Sequence, residues 1–70
     1  MAAPAKAARF AEAALKAHAK ETGNLREPLE TRIMDLLTDL MHLAKKRGVE
    51  FDSVAQQARA HVAAEEAGDY

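Results

Sequence analysis

The sequence predicts an all-α fold, a three-helix unit with helices at about 4–22, 25–47 and 53–67. Three observations carry that expectation. Apolar residues between Leu25 and Ala44 recur at steps of three and four, which places them on one helical face. Gly23 and Gly48 fall where helices commonly end on a left-handed residue. Alanine, lysine, glutamate and leucine, all strong helix formers, dominate the segment before Gly23. Seventy residues make a single domain, 1–70, with fraying expected at about 1–3 and 68–70.

Pro4 suits the first turn of helix one, and Gly23 closes it. Ala7, Phe10, Ala11, Ala14, Leu15, Ala17 and His18 are expected to form its inner side, with Phe10 as the anchor. Leu15 stands at the edge of that side, where it would reach the third helix or a partner.

Helix two is the centre of the chain. Asn24 is a suitable N-cap, and Glu27 sits three positions later as in a capping box. Pro28 is expected inside the first turn. Lys45, Lys46 and Arg47 occupy the last turn, where cations suit the free carbonyls, and Gly48 ends the helix. Such a helix is about 34 Å long. Leu25, Leu29, Ile33, Leu36, Leu40 and Leu43 form its apolar stripe, and Met34, Leu37 and Met41 widen it. A surface helix needs a stripe of only about 100°. This wider face is expected to be covered from two directions, by two other helices or by one helix and a second subunit. The opposite arc carries Arg32, Asp35, Asp39, His42 and Lys46. There Asp35 and Asp39 are expected to pair along the helix with Arg32 and Lys46.

Val49 and Phe51 plug the second turn, and Asp52, or Ser53 with Gln56, caps helix three. Its apolar side is thin: Val54, Ala58, His61, Val62 and Glu65, flanked by Ala55. Gly68, Asp69 and Tyr70 form a loose tail.

Alanine supplies half of the apolar residues, 17 of 34. The core therefore buries little area per residue, and at about 25 cal/mol per Å² its net stabilisation is modest. There is no cysteine to form a disulfide or a thiolate metal site. Self-association is the remaining device, so a homodimer is expected. No run is long and apolar enough to span a bilayer. The chain is expected to be cytoplasmic, with no cofactor and no membrane partner. The net charge is −1, but the charges are unevenly placed. Residues 1–24 carry Lys6, Arg9, Lys16 and Lys20 against Glu12 and Glu21. Residues 49–70 carry Arg59 against Glu50, Asp52, Glu65, Glu66 and Asp69.

Three functional classes are compatible with these residues. The first is protein interaction through Leu15, Met34, Leu37, Met41 and Val62, with methionine adapting to irregular surfaces. The same residues would serve equally as the private core of a monomer. The second is a degenerate helix-turn-helix at about 40–60, with Ala44, Gly48 and Val54 at suitable positions. Lys45, Lys46 and Arg47 would meet phosphate, while Gln56, Gln57 and Arg59 would meet base edges. The acidic character of helix three weighs against it. The third is metal-dependent nucleotide hydrolysis. Glu27 and Glu30 form an ExxE pair of the kind that helical nucleotide pyrophosphohydrolases use for magnesium. The matching acidic pair on the next helix is missing. Asp35, Asp39 and His42 supply too few convergent ligands alone. His18 and His61 are better placed as packed, hydrogen-bonded side chains than as ligands, and His42 as a surface residue.

Asp35, Leu36, Leu37, Asp39, Leu40, His42, Gly48, Phe51, Asp52, Ala58, His61 and Glu65 make a segment that resembles a recurring type of small helical protein of bacteria and phages. The likeness covers under half of the chain. Leu43 and Ala44 depart from it, because other members often carry an aromatic or a cysteine there. The resemblance implies a helical unit and no particular activity. The leading expectation is a non-enzymatic interaction, adaptor or regulatory module that acts as a homodimer.

Overall fold

The computed structural model describes residues 4–68. The chain folds as a three-helix compact unit: α1 at Pro4–Thr22, α2 at Leu29–Arg47 and α3 at Phe51–Glu66. Every pair of helices is in contact, and there is no strand among the described residues. Of the frayed ends expected at 1–3 and 68–70, residues 1–3 and 69–70, Tyr70 included, lie outside the described residues, whereas Gly68 is in a turn with φ 75°.

Helix α1 ends on Gly23, whose φ of 78° is the left-handed turn that glycine adopts without steric cost. The amides of Gly23 and Asn24 both donate to the Ala19 carbonyl, at 2.8 and 3.1 Å. Helix α2 ends the same way. Gly48 has φ 71°, and the Val49 amide reaches back to the Ala44 carbonyl at 2.8 Å.

The start of α2 differs from expectation. It begins at Leu29, with Pro28 in extended geometry (φ −56°, ψ 153°) at the N-cap position. A helix from Leu25 would put Pro28 at the first position whose N–H must bond within the helix. Its ring would also push Glu27 out of helical geometry. Residues 24–27 therefore form a turn, with the Glu27 amide donating to the Asn24 carbonyl. The Asn24–Glu27 capping box does not form. Asn24 donates instead through Nδ2 to Asp35 Oδ2 at 2.7 Å.

Helix α3, by contrast, begins earlier than expected, at Phe51, and it ends at Glu66. Glu50 takes the N-cap position without a side-chain cap bond, so neither Asp52 nor Ser53 caps the helix. Asp52 lies in the first turn, where its charge faces the free amides. Starting the helix there turns Phe51 inwards, half-buried beside the end of α2.

The molecule is flat, 38 × 29 × 16 Å. Its radius of gyration is 13.5 Å, against about 11 Å for a spherical domain of this length. The wholly internal positions are few: Leu15, Ala19 and Ala44. Phe10 is not the anchor of α1, being 59% exposed. Leu15, expected at an edge, is buried in its place. The inward stripe of α1 runs through Ala7, Leu15, His18 and Ala19 rather than through Phe10, Ala14 and Ala17.

Candidate functional site

Burial leaves the apolar face of α2 uncovered. Leu29, Ile33, Met34, Leu37, Leu40, Met41 and Leu43 are all 40–58% exposed. Only Ala44 is buried on this helix, with Leu36 half-buried. The cause is geometric. Helix α1 meets α2 along one flank, where His18 reaches Asp39 and Leu15 shares a groove with Leu29 and Ile33, while α3 touches the far end around Ala44 and Phe51. The arc between those two contacts has no third neighbour.

Two grooves follow that arc. One, of about 480 Å³, is lined by Leu40, Leu43 and Ala44 of α2, with Val49, Phe51 and Val54 across from them. The other, of about 410 Å³, lies between Ala8, Ala11 and Leu15 of α1 and Leu29, Ile33 and Leu37 of α2. Leu40 belongs to both, so the apolar surface is continuous along α2. The chain exposes 5796 Å² in total, against about 4,300 Å² for a folded protein of its mass.

The polar arc of α2 is engaged within the chain. His18 Nε2 lies 2.6 Å from Asp39 Oδ2, and Asn24 holds Asp35. These contacts replace the expected pairing of Asp35 and Asp39 with Arg32 and Lys46. Arg32 instead donates through Nε to the Glu27 carbonyl at 3.2 Å. His18 Nδ1 and Asn24 Oδ1 are buried without a partner. With the imidazole hydrogen on Nε2, Nδ1 presents only a lone pair. An acceptor left unfilled is a smaller fault than an orphaned N–H.

The other candidate residues are more dispersed. Lys45, Lys46 and Arg47 form the last turn of α2, and Arg47 borders the groove beside Phe51. Gln56, Gln57 and Arg59 are exposed on α3. Arg59 shares its helical stripe with Asp52 and Glu66, seven residues to either side. Phosphate would meet those acids along with the arginine. Glu27 lies in the turn before Pro28 and Glu30 in the first turn of α2, so the ExxE pair is not carried on one helix. No three histidine, aspartate or glutamate side chains stand together to hold a metal ion among the described residues. His42 is exposed, and so is His61, which makes an interaction within the chain.

Val62 is 53% exposed and lines a shallow cleft between the end of α3 and Pro4, Ala7 and Ala8 of α1. Of the five residues proposed for interaction, Met34, Leu37, Met41 and Val62 are exposed, whereas Leu15 supports the groove floor from within. Leu29, Ile33, Leu40 and Leu43, expected on a covered face, are open within the protomer. The exposure of Phe51's neighbours Val49 and Val54 was equally hidden. The available signal was the light, alanine-rich character of α1, which cannot cover a stripe of leucines.

No helix among the described residues is long and apolar enough to cross a membrane. No family model, curated protein or solved structure matches the chain.

Proposed function

We propose that the protein is a small helical interaction module that works as a homodimer, with the open face of α2 as its contact surface. The supporting observation is the row of α2 leucines, isoleucine and methionines left 40–58% exposed. Monomeric proteins rarely leave an apolar patch this continuous in water. The protein exposes about 1,500 Å² more than an average folded protein of its mass, and a stable interface needs about 800 Å² from each partner. Met34 and Met41 flank the seam and can adjust to its far side. As an adaptor or regulatory unit, the dimer would present its outer helical surfaces to other proteins.

Sedimentation equilibrium at micromolar concentration tests this reading. The expected mass is twice the 7.6 kDa of one chain. Leu37→Glu should yield a folded monomer, because Leu37 is already 45% exposed within the protomer. A wild-type chain that sediments as a monomer would remove the proposal.

A further inference from the structure

Helix α1 carries its positive charge on one line. At about 100° of turn per residue, Lys6, Arg9, Lys16 and Lys20 fall within roughly 80° of its circumference. All four are exposed, and none pairs with a carboxylate among the described residues. The line faces away from Leu15, His18 and Ala19, the side chains that α1 turns inwards. Ala13 lies within it and Ala17 at its edge, so no large side chain stands among the cations. The acids of the helix lie outside it, Glu12 on one flank and Glu21 on the other. Arg32 shares a cleft with Glu12 and Lys16 and offsets that acid. Glu65 and Glu66 line the cleft on the inward side, beside Ala7 and Ala11.

We propose that this basic line binds the phosphate backbone of duplex DNA without reading its sequence. From Lys6 to Lys20 it runs about 21 Å along the helix. Each strand of a duplex carries about six phosphates over that length, so every cation has one within reach. Lysine and arginine meet phosphate as charge, and α1 has no asparagine or glutamine to read base edges. The rest of the molecule competes poorly. Lys45, Lys46 and Arg47 are consecutive, so they point about 100° apart and share no line. Helix α3 sets Asp52, Glu65 and Glu66 against Arg59 and repels a polyanion. A lipid surface fits less well, because a helix resting on one needs a broad apolar face beside its cations. Only the exposed Phe10 flanks this line, since Leu15 is buried within the protomer.

The contact goes beyond self-association and does not depend on it. On α1, the groove towards α2 is lined by Ala8, Ala11, Glu12 and Leu15, and by none of the four cations. A homodimer through the open face of α2 therefore leaves the basic line in solvent.

Fluorescence anisotropy of a labelled, mixed-sequence duplex of about 20 base pairs, titrated with the full chain, tests the proposal. Four neutralised phosphates give a slope of log K against log salt of about −3.6, so affinity should fall roughly a hundredfold between about 50 and 200 mM NaCl. A Lys6→Gln, Arg9→Gln, Lys16→Gln, Lys20→Gln chain should keep its helical circular dichroism, since all four sites are exposed and glutamine is a good helix former. It should lose roughly tenfold or more in affinity at low salt. A Lys45→Gln, Lys46→Gln chain should bind like the wild type. No binding by the wild-type chain at low salt, or unchanged affinity in the folded quadruple variant, would overturn the proposal. Loss confined to the Lys45→Gln, Lys46→Gln chain would do the same, by moving the contact to the end of α2. Tighter retention on phosphatidylglycerol vesicles than on the duplex would assign the line to a membrane surface instead. Leu37→Glu should still bind, which separates this outcome from the homodimer; its failure to bind would show that one basic line does not suffice and would overturn the proposal.

Discussion

Ala19 has no exposed surface, and its carbonyl accepts from the amides of Gly23 and Asn24 and from the Thr22 hydroxyl. A methyl group fits there and a larger side chain does not. Ala19→Leu should destabilise the protein by roughly 1–3 kcal/mol through overpacking, whereas Ala14→Leu, at an exposed site, should cost little. Urea unfolding of the two variants checks the contrast, and equal midpoints would refute the packing role. The sequence does not mark Ala19 apart from its sixteen fellow alanines. Only the rotation of α1 about its axis does so. His18 and Asp39 form the other residue-scale contact. Asp39→Ala leaves His18 Nε2 largely shielded without its partner, the histidine side chain being only 14% exposed. The expected loss is about 1 kcal/mol, at the low end for a bond to a charged group because Asp39 itself is half in water. A double-mutant cycle with His18→Ala should show favourable coupling. A coupling of zero would mean that the contact does not hold α1 to α2.

At the scale of the helices, both turns depend on single residues whose backbone chemistry is strict. Gly48 has φ 71° and open space where a Cβ would stand, so alanine there meets backbone strain alone. Gly48→Ala should cost about 1 kcal/mol, and Gly48→Asn less, since asparagine tolerates the left-handed region better. Thermal melts of the two variants test the order. Helix ends of this kind were readable, because Gly23 and Gly48 act locally. The start of α2 falls four residues later than the capping pattern suggests, and Pro28 carries the signal for it. One position decides whether a proline falls among the amides that are free in any case or removes a helix bond. Asn24 then became free to tie the turn to Asp35.

For the whole molecule, stability and association are coupled. If pairing covers the α2 seam, the folded dimer is favoured by mass action. The unfolding midpoint should therefore rise with protein concentration, and Leu37→Glu should abolish that dependence. Calorimetry at several concentrations decides the matter, and a constant midpoint for the wild-type chain would argue against linked folding and pairing. The candidate surface itself was partly legible. Met34, Leu37 and Met41 stood out because they widened a stripe beyond what one light helix could cover. Leu29, Ile33, Leu40 and Leu43 belong to the same open face. Periodicity alone gives a buried face and an unpartnered one the same pattern.

The sequence by itself determined that there are three helices, where α1 and α2 end, and that the large aliphatics gather on α2. Those properties follow from local backbone preferences and from spacing along the chain. Only the tertiary structure decided which side of α2 the outer helices cover. His18 ties α1 to Asp39 on one flank of α2, Asn24 ties the turn after α1 to Asp35, and Phe51 lies with α3 at the far end. The leucine row between them is left open, since contact between distant segments depends on helix rotation and crossing, which no local pattern encodes.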